Sequence, residues 1–205
     1  MFDDRHDAGK QLAERLKKYN DHSIILALPR GGVLVGYEVA KVLKVPLSVV
    51  VVRKLGAPHN PEFGIGAIAE EDVVILDQQT IEYLGITADE IAAVTKREKK
   101  ELQRRVAVYR CGKSLPDLEG KRVILVDDGL ATGVSAKAAI TSIQKHSPKE
   151  LIFASPVCAH DTAEILRSEV DALICVFTPL DLEAIGLYYR NFHQVSDEEV
   201  VRLLI

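Results

Sequence analysis

Asp127 and Asp128 stand side by side at the end of the apolar run Val123 to Val126, and Gly-Leu-Ala-Thr-Gly-Val-Ser follows them from Gly129 to Ser135. Two adjacent carboxylates suit a sugar diol or a hydrated divalent cation and repel a phosphate. The segment after them has the opposite chemistry. It offers backbone N–H groups, the hydroxyls of Thr132 and Ser135 and the start of a helical pattern, a combination that takes an anion. A ligand that meets both features is a sugar phosphate, its hydroxyls about one residue-length from its phosphate. A second anion cradle, Pro29-Arg30-Gly31-Gly32, follows the apolar run Ser23 to Leu28. Its glycines let backbone amides approach an oxyanion closely, and its guanidinium can take two oxygens in a fork. A third apolar run, Val49 to Leu55, carries Arg53 and Lys54 near its end.

These residues act together only if their strands share one sheet edge. The runs are continuously apolar and rich in Val and Ile, as expected of strands covered on both faces in a parallel sheet. Helical patterns follow from Val33 to Lys44 and from Gly133 to His146. Strands at Leu151 to Val157 and Ala172 to Phe177, separated by a helix from Ala159 to Ser168, continue the alternation. The expected fold is α/β, a doubly wound parallel sheet with helices on both faces, whose ligands bind beyond the carboxyl ends of the strands. Each motif also has a plainer reading. A single Asp would suffice to cap a helix, yet a cap explains neither the second carboxylate nor Thr-Gly-x-Ser. A Pro-Gly turn would account for residues 29–32, and a solvated basic pair for Arg53 and Lys54, if each stood alone.

Four apolar residues, Asp-Asp, three variable positions and Thr-Gly-x-Ser resemble the phosphoribosyl pyrophosphate signature of the type I phosphoribosyltransferases. The resemblance covers roughly residues 23–177 in three ordered motifs and implies a magnesium-dependent transfer of the 5-phosphoribosyl group to a nitrogenous acceptor, a purine or pyrimidine base, with release of pyrophosphate. By that resemblance Asp127 and Asp128 hold the ribose hydroxyls, and Ala131, Thr132, Gly133, Val134 and Ser135 bind the 5-phosphate. Arg30, Gly31 and Gly32 form the pyrophosphate loop, often with a cis peptide before the basic residue, and Arg53 or Lys54 faces the leaving group. Magnesium arrives on the donor, with no direct protein ligand and a water bridge to Asp127. The implied protein is a cytoplasmic homo-oligomer, a dimer. A donor-sensing regulator of the same fold is the rival, although the first twenty-odd residues are too few for a winged helix. A phosphoribosyl pyrophosphate synthase would need two tandem domains.

Composition is consistent with one domain over residues 1–205. The net charge of −4, from 26 basic and 30 acidic residues, leaves no electrostatic footprint for nucleic acid. No apolar run reaches membrane-spanning length, and the amino terminus has no signal-peptide core. Three cysteines without a Cys-x-x-Cys pair point to a reducing compartment, with Cys158 and Cys175 as small buried hydrophobes. The six histidines are scattered, with no metal-binding pair.

Remaining segments supply packing and a hood. A first helix is expected from Ala8 to Tyr19, with Leu12 and Leu16 inward. Gly56 to Glu71 reads as an irregular loop, either the mobile hood loop of the resembled family or a hairpin feeding a strand at Val73 to Leu76; hood elements are placed at about 56–76 and 178–196. Thr87 and Glu90 form a capping box for a long charged helix to Tyr109. Its mixed charges favour a solvated face over nucleic-acid contact, and it equally suits a subunit interface. Phe177, Tyr188 and Phe192 either stack on the acceptor base, as the resemblance implies, or close a core edge. Ser196 caps a last helix from Asp197 to Leu204.

Overall fold

A computed structural model describes all residues, Met1 to Ile205. The chain runs α1 (Arg5–Leu16), β1 (Ser23–Ala27), α2 (Gly31–Leu43), β2 (Leu47–Val49), β3 (Val52–Ala57), β4 (Asn60–Ala69), β5 (Val73–Leu76), α3 (Gln78–Leu84), α4 (Ala88–Tyr109), β6 (Arg122–Val126), α5 (Val134–Gln144), β7 (Glu150–Val157), α6 (His160–Leu166), β8 (Ala172–Phe177) and α7 (Asp197–Leu204). Five strands form a parallel sheet in the order β2-β1-β6-β7-β8. Alternate residues of β1 feed opposite layers: Ile24 and Leu26 pack with Ile140 and Ile143 of α5, while Ile25 packs with Leu12 and Leu16 of α1 and Val39 of α2. Both faces are therefore covered, which is why these strands read as unbroken apolar runs.

The sheet order sets the position of the site. From β1 the chain moves outward to β2, and from β6 it moves the other way to β7 and β8, so the direction reverses between the adjacent strands β1 and β6. In open α/β sheets such a switch point opens a crevice at the carboxyl edge. Arg30-Gly31-Gly32 and Asp127-Asp128 are the residues that leave those two strands there.

Several expectations are corrected. The run Val49 to Leu55 is not one strand: β2 ends at Val49, and the chain turns away into β3 of a separate antiparallel sheet, β3-β4-β5. Arg53 and Lys54 therefore sit within a hood strand, not at the end of a parallel one. Of the two readings of Gly56 to Glu71, the hairpin is the one found: β3 and β4 pair, with Ala57 against Asn60 and register shifts around Gly56, and they feed the expected strand at Val73 to Leu76, β5. Glycine there is a packing requirement, since a Cβ on Gly56 would strike the Pro61 backbone. The unexpected helix α3 is capped by Asp77, whose carboxylate accepts from the Thr80 N–H at 3.1 Å. Helix α1 begins at Arg5, three residues early, because Asp4 caps it through the Asp7 N–H at 2.9 Å. Cys158 and Cys175 are not separate thiols: β7 and β8 are neighbours, and the two sulfurs are bonded within the core. The box of Thr87 and Glu90 is as expected, and α7 spans the expected residues.

Candidate active site

The tips of β1 and β6 meet closely. Gly31 and Gly32 open α2 directly against the acidic pair: a Cβ on Gly31 would overlap the Asp128 carboxylate, and one on Gly32 would lie 2.8 Å from the Val126 carbonyl oxygen and 2.9 Å from the Asp127 Cα. The peptide bond between Pro29 and Arg30 is cis. These glycines thus serve contact between the two loops as well as any anion.

Beyond β6, a cavity of about 170 Å³ is lined by Asp127, Gly129 to Gly133, Ser135, Ala136 and Ile185. Gly133 adopts a left-handed φ of 76° before the first turn of α5, a turn that glycine makes without strain. The hydroxyl of Thr162 on α6 donates to the Ala131 carbonyl at 2.5 Å and braces the loop. Thr132 and Ser135 are exposed at its surface, so hydroxyls, backbone amides and a helix amino end converge on one small space.

The two carboxylates are not equivalent. Asp127 lines the cavity, and its Oδ1 accepts from the Asp128 N–H at 2.8 Å. Burial first, and then the neighbouring Asp128 charge, hold the Asp127 carboxyl well above the ordinary carboxylate range. Asp128 instead accepts from the Arg5 Nε–H at 2.7 Å, and its backbone carbonyl accepts from the Tyr189 hydroxyl at 2.6 Å. Arg5 was invisible as a site residue in the sequence, although a cation in the first turn of a helix opposes the macrodipole and signals a tertiary partner. A folded-state pKa above the unfolded one means that ionising Asp127 costs folding stability, a cost that appears as pH rises through the folded pKa. Asp127→Asn should therefore raise the melting temperature at neutral pH. A melting temperature that falls, by calorimetry at pH 7, would contradict the assigned strain.

The cations are distributed. Arg30 Nη1 lies 3.6 Å from Asp197 Oδ1 at the start of α7. Asp197 is satisfied elsewhere, by the Tyr109 hydroxyl at 2.7 Å and Arg104 at 2.9 Å; burial would raise its pKa, but these hydrogen bonds outweigh burial and keep it low. Arg30 is thus near the crevice without a hydrogen bond to give up. Arg53 is committed to Glu98 of α4, with Nε and Nη2 at 3.0 and 2.8 Å from Oε2, and Lys54 on the other face of β3 donates to the Glu62 carbonyl.

The aromatic tail folds back on the chain's beginning. Phe2 pairs with Tyr189 as an isolated bridge, and its ring lies 5.2 Å from Phe177 and 5.3 Å from Tyr189. Phe177 and Tyr188 face each other at 6.0 Å, whereas Phe192 stacks on Tyr189 at 4.9 Å with the Arg5 guanidinium 3.8 Å from its ring centre. Ile185 packs over Gly129 and closes one side of the cavity.

Residues 2–176 match the family model described as phosphoribosyl transferase domain. Two relatives from Mycobacterium tuberculosis, strains CDC 1551 and H37Rv, each named "Putative phosphoribosyl transferase", are 42% identical over 205 residues. The alignment takes in 100% of this chain and 46% of theirs, so the chain spans about half the length of the curated relatives it matches. The crystal structure of TT1426 from Thermus thermophilus is 36% identical, with a TM-score of 0.81 over 100% of this chain and 97% of that one. A purine phosphoribosyltransferase from Pyrococcus horikoshii Ot3, 20% identical, shares the fold at a TM-score of 0.52 over 92% of this chain and 91% of its own.

Proposed function

The chain belongs to the phosphoribosyl transferase family, and we propose that it transfers the 5-phosphoribosyl group of phosphoribosyl pyrophosphate to a nitrogenous acceptor, a purine or pyrimidine base, releasing pyrophosphate. The observation that carries this reading is the switch-point crevice: the cavity of about 170 Å³ joins Asp127 to the phosphate cradle of residues 131–135, with Gly31 and Gly32 packed against the acidic pair. A donor of this shape would place its 5-phosphate on the amides and hydroxyls of Ala131 to Ser135. Its 2′ and 3′ hydroxyls would meet Asp127 and Asp128, and its pyrophosphate would meet Arg30 and the Gly31 and Gly32 amides.

Developing positive charge at C1 and negative charge on the leaving group would define the transition state, as in other glycosyl transfers. Arg30 would strengthen its hold as negative charge builds on pyrophosphate, while the carboxylates fix the sugar. One carboxylate, Asp127, lines the cavity beside the phosphate cradle, which fits magnesium carried on substrate phosphates with its waters, Asp127 being placed to accept from such a water. When bound, magnesium would neutralise charge on the leaving pyrophosphate. Phe177, Tyr188 and Phe192 are the tail rings offered to an acceptor, and a dimer is the proposed assembly.

Titration of purified protein with phosphoribosyl pyrophosphate and magnesium, followed by a panel of bases with pyrophosphate as the readout, tests the proposal. Base-dependent pyrophosphate release is the expected result. Donor binding without release for any base would favour the donor-sensing reading, and no binding would refute both. Asp127→Asn should weaken donor affinity by about tenfold to a hundredfold, the worth of charge-assisted hydrogen bonds. Unchanged calorimetric affinity would remove Asp127 from the diol site.

A further inference from the structure

Arg5 is 123 residues from Asp128 in sequence, yet its guanidinium is the centre of the acidic tip. Its side chain is 6% exposed and its Nε–H donates to Asp128 Oδ2 at 2.7 Å. Nη1 donates to the His193 carbonyl at 2.8 Å, and the Phe192 ring covers the planar group at 3.8 Å. A Cβ on Gly31 would also lie 2.9 Å from Arg5 Nε, so the guanidinium stands where the pyrophosphate loop, the acidic pair and the carboxyl-terminal strap meet. A desolvated guanidinium is tolerable here only because a carboxylate, a carbonyl and an aromatic face share its charge.

We infer that Arg5 is a positioning residue for the ribose site, holding Asp128 by one oxygen so that the other is aimed at a sugar hydroxyl. The inference deepens the proposed function and rests on it. Beside Asp127, an unrestrained second carboxylate would rotate away from like charge, and the Arg5 ion pair fixes its orientation instead. The short ladder of Phe2 with Tyr188 and Arg190, at 2.8 and 2.9 Å, delivers Arg5 to that point, which gives the packing of the two chain ends a chemical purpose. Fixing residues 192 and 193 on the same cation ties that strap to the donor site.

The experiment compares wild type, Arg5→Gln, Arg5→Lys, Asp128→Asn and the Arg5→Gln/Asp128→Asn double variant by calorimetry, well below each melting temperature. The titrants are phosphoribosyl pyrophosphate and inorganic pyrophosphate, each with magnesium. Arg5→Gln should weaken the donor by about tenfold, the scale of one charge-assisted contact, and leave pyrophosphate unchanged, since pyrophosphate has no diol. Arg5→Lys should recover part of the loss. The double variant should bind the donor no worse than Asp128→Asn alone, because Arg5 acts through that carboxylate. Equal loss of both titrants would show a collapsed strap and overturn the assignment, as would unchanged donor affinity in Arg5→Gln. Wild type that fails to bind the donor would overturn the functional reading along with it, a result separable from the first two.

Discussion

Arg30→Ala should lower kcat/KM for the donor by about 2 to 4 kcal/mol, or roughly thirtyfold to a thousandfold, if the guanidinium stabilises charge on the departing pyrophosphate. The structure favours a large effect because Arg30 is held in place without being used up: Asp197 stands 3.6 Å away and takes its short hydrogen bonds from Tyr109 and Arg104. Arg53, by contrast, is already paired with Glu98, so it is a poor substitute once Arg30 is gone. Arg30→Lys should fall between the two, keeping charge and losing the fork. Steady-state kinetics with separate variation of donor and acceptor checks this. A loss confined to the acceptor would place Arg30 outside the leaving-group site, and no loss would transfer its role to another cation.

The core sheet and its chemical tips were legible because their signals are local. Unbroken apolar runs mark doubly covered strands, and Asp-Asp followed by Thr-Gly-x-Ser can be read without knowing what packs nearby. Helix α4 begins where Thr87 and Glu90 exchange hydrogen bonds, at 3.3 Å from the Glu90 N–H to the threonine hydroxyl and 2.9 Å from the Thr87 N–H to the carboxylate. Gly56 to Glu71 admits both a loop and a hairpin in sequence for a physical reason: its glycines look like loop punctuation, although at Gly56 the backbone that forbids a Cβ belongs to the partner strand of the same hairpin. The break after Val49 was hidden by Val50 and Val51, two more valines that continue the apolar run while the chain leaves the sheet. What decides the turn there is remote: Val50 donates to the Ala27 carbonyl at 3.2 Å and Val51 to the Glu70 carboxylate at 2.8 Å. Arg5 was missed on the same ground, its partners lying beyond the reach of any sequence window.

That remote contact at Val51 leads to the largest stability effect expected. Glu70 at the end of β4 and Arg110 just after α4 form a buried ion pair, their side chains 10% and 6% exposed, while the other Glu70 oxygen holds the Val51 N–H at the junction of core sheet and hood. Arg110 Nε and Nη1 have no partner, so Glu70 is the guanidinium's only hydrogen-bond acceptor. Glu70→Ala would leave a desolvated cation alone and should cost about 3 to 5 kcal/mol, more than the pair itself need contribute. The double variant Glu70→Leu/Arg110→Met should recover part of that loss, since removing both charges removes the uncompensated one; the orphaned Val51 N–H would retain about 1 to 3 kcal/mol of it. Urea unfolding that reports the midpoint and slope separately decides between these outcomes. A single variant costing less than about 1 kcal/mol would be the behaviour of a solvated surface pair. The hood would then owe its orientation to the apolar contacts of Leu55, Ile65 and Ile68 with Val94 and Leu102.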